Sequence, residues 1–122
     1  MSLAEQCIQD ARSLYKNGSY RSAANRAYYA YFDAVRALLV SKNVIIKSHS
    51  AIRALFGEHF VKEGPFEKQD AKNFHELFLL RQHSDYEIDE DIPSSDVFEA
   101  IELAADFLIQ TEAYLRENQF SS

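Results

Sequence analysis

Arg81 is the charged residue whose position points most directly to chemistry. Phe78, Phe74 and Ala71 precede it at steps of three and four residues, so Arg81 continues the apolar stripe of a predicted helix. A charge on such a stripe needs a partner, because burying it alone is costly. Asp85, four residues further on, could form an ion pair with it. Alternatively, Arg81 lies at the edge of a pocket and binds phosphate through its planar guanidinium group.

His83 and Tyr86 flank the same turn of the chain. A histidine titrates near neutral pH, so His83 could act as a general acid or base. On a helix it would point roughly 160° away from Arg81, which makes a solvent-exposed histidine the default interpretation. Tyr86 could donate a hydrogen bond into a site or close one end of the fold.

Three further polar residues lie among aromatic residues between positions 20 and 40, in the segment YRSAANRAYYAYFDAVRALLV. They are Asn25, Arg26 and Arg36. Polar groups in so apolar a segment are a first indication of a binding site, with Asn25 and Arg26 as its candidates.

No metal or cofactor motif accompanies these residues. No two of the four histidines have the HxxxH spacing of a zinc pair, and Cys7 is the only cysteine. Acidic residues alternate from Asp85 to Asp91, as in the first part of a calcium loop. However, Glu90 occupies the position where that loop needs glycine. We therefore predict no metal and no cofactor, and interpret residues 85–93 as a solvated acidic loop.

Composition limits the possible functions. The 122 residues fit one domain, and 47% are hydrophobic. A net charge of −6 argues against a protein that binds nucleic acid by bulk electrostatics, and we expect no DNA partner. The 13 lysines and arginines still allow a local basic groove. We see no signal peptide and no apolar run near the ~20 residues of a membrane span, so we expect a cytoplasmic protein without a membrane partner.

The elements that must position these residues are helices. Residues 20–40 contain no Gly or Pro and are apolar around most of the helix, which predicts a central helix surrounded by others. Amphipathic patterns predict further helices over 2–16, 49–62 and 67–84, and a last one from caps at 94–96 to about 117. The sequence therefore predicts an all-α, up-and-down bundle of five helices in a single domain.

Two local features support this topology, and one alternative competes with it. Asn17 and Gly18 end the first helix, Ser19 could cap the next, and so short a loop makes the two helices antiparallel. The inward face of the first helix is predicted to begin at Leu3.

The segment NGSYRSAANRAYYAYFDA is also similar to a tetratricopeptide hairpin. The rest of the chain does not repeat it, and such arrays need about three repeats.

Three segments, in this order, resemble the HEPN family of small all-α proteins. AANRAYYAYFDAVRALL is similar to that family's second helix, and KSHSAIRALFGEHFVKEG to its Lys-x-His segment with spaced phenylalanines. LFLLRQHSDYE is similar to its Leu-x-x-Leu-Arg-x-x-x-Asp-Tyr ending of the fourth helix. With the last helix, the resemblance covers nearly the whole chain.

The resemblance implies a helical bundle that commonly dimerises. Many members are encoded beside minimal nucleotidyltransferases as toxin–antitoxin or defence pairs. Several are metal-independent ribonucleases that use an Arg, four to six residues and then a His, in two copies across a dimer cleft. In some relatives the nucleotidyltransferase modifies a tyrosine near this motif, and Tyr86 matches that position.

The chain departs from the ribonuclease pattern at the second residue of that motif. Four residues follow Arg81 before Tyr86, which stands where the motif has a histidine. His83 is only two positions after Arg81, which is too close for the motif. The first hypothesis is therefore a binding module that pairs with a nucleotidyltransferase. It would hold a nucleotide or RNA phosphate near Arg81, with Asn25, Arg26 and Tyr86 around the site and Asp85 as a further candidate binding residue. The second is a ribonuclease toxin that uses Arg81 with His83 or Tyr86, and the third is a helical scaffold with a structural Arg81–Asp85 pair.

The central helix also suggests where two copies could meet. Four other helices are too few to cover it fully, so the side with Tyr29, Phe32 and Arg36 is a candidate dimer face. On this interpretation, Phe32→Glu would disrupt a homodimer more than it disrupts folding.

Overall fold

The computed structural model describes residues 2–86 and 92–118, with side chains for 3–84 and 92–118. This part of the chain forms five α-helices and no strand: α1 (Ser2–Lys16), α2 (Tyr20–Ser41), α3 (Ala51–Phe56), α4 (Lys68–Tyr86) and α5 (Ser94–Asn118). A π-helical segment, Gly57–Lys62, continues α3. The predicted all-α fold with five helices is confirmed.

The turn between α1 and α2 follows the predicted glycine stop. Gly18 has a φ of +77°, a backbone conformation that favours glycine. Its N–H donates to the Tyr15 carbonyl at 3.0 Å, and the Ser19 N–H donates to the Leu14 carbonyl at 2.8 Å. These two bonds satisfy the last carbonyls of α1. The Ser19 side chain makes no capping hydrogen bond, so the predicted side-chain cap is wrong.

Helix α2 is the centre of the bundle, as its apolar residues predict. It contacts α1, α3, α4 and α5. The Tyr31 ring stacks on Phe107 with centroids 4.0 Å apart and on Phe74 with centroids 5.3 Å apart. Its hydroxyl donates to the backbone carbonyl of Asp70 at 2.7 Å. Tyr31 thus ties α2 to both α4 and α5.

Two predicted positions in the packing are wrong. Phe32 is only 4% exposed and packs against the His49 ring at 4.5 Å, so it belongs to the core and not to a dimer face. The segment that follows α2 folds back and covers it. Leu3, predicted to face inward, is 61% exposed because the first turn of α1 lies at the rim of a surface cavity.

Two helix boundaries also differ from the prediction. The third helix begins at Ala51, after a turn at residues 49–50, and changes from α to π geometry at Gly57. Helix α4 continues through Asp85 and Tyr86, which were predicted to begin the acidic loop. The rest of that loop includes residues 87–91, which lie outside the described part. None of the described helices combines the length and the apolar character that a membrane crossing requires.

Candidate functional site

Arg26 and Arg81 approach the same aromatic ring from two different helices. The Cζ atom of each guanidinium group lies 5.3 Å from the centroid of the Tyr29 ring. Arg81 also lies 5.5 Å from the ring centroid of Tyr28, one residue earlier on α2. At these distances the aromatic faces attract the cations. The packing of α4 against α2 therefore brings two arginines together on one aromatic platform.

Asn25 orients the guanidinium group of Arg26. The Nε and Nη2 atoms of Arg26 donate to the Asn25 side-chain oxygen at 3.1 Å and 2.7 Å. The Nη1 atom lies 3.9 Å from the sulfur of Cys7 on α1. Burial raises the pKa of the Cys7 thiol, and the nearby Arg26 charge opposes that rise. The thiol is therefore neutral at physiological pH, and it is buried.

A surface pocket opens beside this pair of residues, between α1 and α2. Its volume is about 320 Å³, and Leu14, Arg21, Ser22, Asn25 and Arg26 line it. Guanidinium, amide and hydroxyl groups are all hydrogen-bond donors. A pocket lined with such donors and two cations suits an anion, and its planar guanidinium groups match the oxygens of a phosphate.

Arg21 fixes the end of α4 that carries the predicted site residues. Its Nη1 atom donates to the backbone carbonyl of Ser84 at 2.6 Å. The Ser84 hydroxyl in turn donates to the carbonyl of Leu80 at 2.7 Å, and Ser84 is buried. The first turn of α2 is therefore bonded to the last turns of α4, next to Arg81 and His83.

The structure brings together three of the residues predicted from sequence. Arg26 and Arg81 both lie beside Tyr29, and Asn25 accepts hydrogen bonds from Arg26. His83 is partly buried, not fully exposed, and it lies two residues beyond Arg81 on the continuous helix α4.

Two predicted side chains lie outside the described residues. Asp85 and Tyr86 complete the backbone of α4, and nothing is described of their side chains. The predicted ion pair between Arg81 and Asp85 therefore falls outside the described side chains.

Sequence reasoning missed Arg21 and assigned Tyr29 to another role. Arg21 lies four residues before Asn25, which is the spacing of neighbours on one helix face. That spacing could have identified it. The role of Tyr29 depends on where α4 packs, which its own sequence neighbourhood does not reveal.

The charged clusters of the described side chains do not form a metal site. Within residues 3–84 and 92–118, no three His, Cys, Asp or Glu side chains come close enough to hold a metal ion. The alternating acidic residues of the suggested calcium loop fall largely at positions 85–91, outside this description.

Comparison with known proteins identifies relatives along most of the chain. The family model described as HEPN domain matches residues 1–113. A UPF0332 protein of Thermotoga maritima is 41% identical over 83 residues, which cover 68% of this chain and 63% of that protein. The chain thus spans less than two thirds of this relative.

Two proteins of Methanocaldococcus jannaschii, each named as a candidate toxin, are also similar. One is 34% identical over 109 residues, which cover 89% of this chain and 80% of that protein. The other is 29% identical over 112 residues, which cover 92% of this chain and 76% of that protein.

Proposed function

The chain belongs to the HEPN domain family, and we propose that it is a HEPN-type module that binds the phosphate group of a nucleotide or RNA. The phosphate binds at Arg26 and Arg81, beside Asn25. The observation that carries this proposal is the convergence of the two guanidinium groups on Tyr29, each with Cζ 5.3 Å from the ring centroid.

Physical arguments favour an anion at this position. A phosphate at this position would be attracted by both guanidinium groups. Hydrogen bonds from arginine to phosphate are charge-assisted and stronger than neutral ones. Because Asn25 already fixes Arg26, less conformational freedom is lost when the phosphate binds. The overall charge of −6 keeps this attraction local to the site.

We further propose that the chain acts with a nucleotidyltransferase protein in a toxin–antitoxin or defence pair, as a homodimer. The toxin names of the two Methanocaldococcus relatives support the toxin–antitoxin part of this proposal. The dimer and the nucleotidyltransferase follow from the family resemblance. If the partner modifies a tyrosine here, Tyr86 is the candidate acceptor.

A ribonuclease is the second candidate function. In it, Arg81 stabilises the charge that develops on the phosphate, and His83 or Tyr86 transfers a proton. The partial burial of His83, beside the Ser84 carbonyl that Arg21 holds, favours a defined position for this histidine. The unbroken helix α4 weighs against catalysis by Arg81 and His83 of one copy, because the two side chains leave it roughly 160° apart.

A binding measurement with matched variants tests the proposal. The affinity of the purified protein for AMP and for a fluorescent hexaribonucleotide is measured at low salt, for the wild type, Arg26→Ala and Arg81→Ala. Arg12→Ala is the control, because it also removes one arginine but from an exposed ion pair with Glu102. We expect at least tenfold weaker binding for each site variant and an unchanged affinity for the control. Absence of binding by the wild type would refute the proposal.

The same samples separate the two candidate functions. A binding module leaves the RNA intact, whereas a ribonuclease cleaves it and loses that activity on Arg81→Ala. Co-expression with any nucleotidyltransferase that is encoded beside the gene tests the partner. Co-purification of the two proteins is expected, and separate elution would contradict the pairing.

A further inference from the structure

A second cavity on the same side of α2 carries cations that the site above does not use. It has a volume of about 560 Å³ and lies between the start of α1, the second half of α2 and the segment before α3. Arg36, Lys47, Ser48 and His49 supply its basic and polar rim, and the buried rings and chains of its floor include Phe32 and Ile52. We refer to these four rim residues and their cavity as the Arg36 pocket.

The two strongest cations of the Arg36 pocket are available to a ligand. Both Arg36 and Lys47 are exposed, and neither makes a hydrogen bond or an ion pair with another described residue. Among the described residues that line this cavity, Asp33 is the one acidic side chain, and it attracts Arg36 electrostatically. The rim thus carries two cations and a histidine but one carboxylate. This local excess of basic groups favours binding of an anion, although the total charge of the protein is −6.

The Arg36 pocket lies in line with the Arg26–Arg81 site. Arg26, Tyr29, Asp33 and Arg36 follow steps of three and four residues, so they share one face of α2. Ten residues of helix separate the two arginines of this row by roughly 15 Å.

Aromatic rings connect the two ends. The ring centroids of Tyr29 and Phe32 are 5.9 Å apart, and those of Phe32 and His49 are 4.5 Å apart.

We propose that the Arg36 pocket binds a second phosphate group of a single-stranded RNA whose first phosphate lies between Arg26 and Arg81. This inference rests on the proposed function and names its substrate as an RNA strand of several nucleotides, not a mononucleotide. A strand laid along α2 reaches both ends of the row, whereas a mononucleotide is too short to do so.

The chemistry of the pocket fits such a strand better than a simple ion. Arginine and lysine at the rim contact the backbone phosphate. The exposed His49 ring and the apolar floor offer surfaces on which a base can stack or rest, as in other single-strand binding grooves. Asp33, between the two arginines, limits the affinity and disfavours tight binding of arbitrary anions.

The test compares ligands of increasing length. Fluorescence anisotropy measures the affinity for AMP, a dinucleotide and a hexaribonucleotide over a series of salt concentrations. For the wild type, affinity rises from AMP to the hexanucleotide. For Arg36→Ala/Lys47→Ala, the hexanucleotide binds about tenfold more weakly and the salt dependence becomes shallower, by about 0.7 in log–log slope per lost contact. AMP binding is unchanged in this variant.

The control is Arg12→Ala/Lys68→Ala, which removes the same two residue types from exposed positions on α1 and α4. It is expected to keep the full length dependence. Circular dichroism verifies the fold of every variant.

Three outcomes would overturn the inference, and they are distinguishable. If the Arg36→Ala/Lys47→Ala protein binds the hexanucleotide as the wild type does, while Arg26→Ala does not, the second subsite falls and the proposed function stands. If that double variant loses AMP binding as well, the pocket is an independent mononucleotide site. If the wild type binds neither AMP nor RNA, the proposed function fails and the subsite fails with it.

Discussion

The guanidinium group of Arg81 lies over the ring of Tyr29, with Cζ 5.3 Å from the centroid. Arg26 of α2 lies at the same distance from this ring, so Tyr29 contacts an arginine from α2 and an arginine from α4. The ring attracts both cations.

Replacing this ring should weaken phosphate binding without unfolding the protein. Tyr29→Leu removes two cation–π contacts, each worth about 0.5–1 kcal/mol at such a partly exposed position. We expect affinity for the hexanucleotide to fall roughly tenfold, which corresponds to about 1.4 kcal/mol. Tyr29→Phe, which retains the ring, is the control and should bind like the wild type. A Phe variant as weak as the Leu variant would show that the hydroxyl group matters and the platform does not.

Asp33 should make stability depend on pH. Burial raises the pKa of its carboxyl group, against the opposing charges of Arg36 and Arg26, and the buried Cys7 thiol lies close by. A raised pKa means that the folded chain binds this proton more tightly than the unfolded chain. The stabilising contribution is therefore complete at pH below the unfolded value and is lost as pH rises through the folded value.

The variant that tests this expectation is Asp33→Asn. It should melt at a higher temperature than the wild type at neutral pH, because the ionised carboxylate is disfavoured in the fold. The difference should shrink as the pH falls towards 3.8, the ordinary pKa of the group. Thermal unfolding followed by circular dichroism at several pH values measures it. A less stable Asn variant at neutral pH would mean that the attraction of the two arginines outweighs the burial of the charge.

The elements of this fold were predictable because their signals are local. The stop at Gly18 and the apolar circumference of α2 depend on short stretches of sequence, and both are confirmed. The position of Phe32 was not predictable in this way. Phe32 is buried because the segment around His49 packs over it. The apolar pattern of a single helix does not reveal a contact with a separate segment.

The candidate site shows the same division. Asn25 and Arg26 were identified as polar residues in an apolar helix, and Arg81 as a charge on an apolar stripe. That they meet at one ring depends on the packing of α4 on α2. The spacing of Arg21 to Asn25 places it on the same helix face, but its hydrogen bond to the Ser84 carbonyl joins two separate helix ends and has no local sequence signal.

Arg21→Ala should loosen the end of α4. The lost bond is charge-assisted, at 2.6 Å, and it satisfies the carbonyl of the buried residue Ser84. Such bonds contribute about 1.5–3 kcal/mol, and we expect a loss of unfolding free energy in that range. Hydrogen exchange measured by mass spectrometry should be faster than in the wild type for a peptide covering residues 80–86. A peptide from α5 should exchange as it does in the wild type. Arg12→Ala, at an exposed ion pair, is the control, and equal effects of the two substitutions would contradict this role.

Substitution of Phe32 tests whether this side of α2 belongs to the core of one copy or to an interface between two copies. Its side chain is 4% exposed, so Phe32→Ala leaves a cavity and should lower the free energy of unfolding by about 3–5 kcal/mol. Val40, on the same helix, is 60% exposed, and Val40→Ser should change stability by at most about 0.5 kcal/mol. Urea unfolding measures both values, and analytical ultracentrifugation at several concentrations measures the oligomeric state. If Phe32→Ala separated a dimer into stably folded monomers, this residue would belong to an interface between copies and the burial argument would fail. The packing of Phe32 against His49 predicts a different result. Phe32→Ala should lose stability at every protein concentration, and its oligomeric state below the unfolding transition should be unchanged.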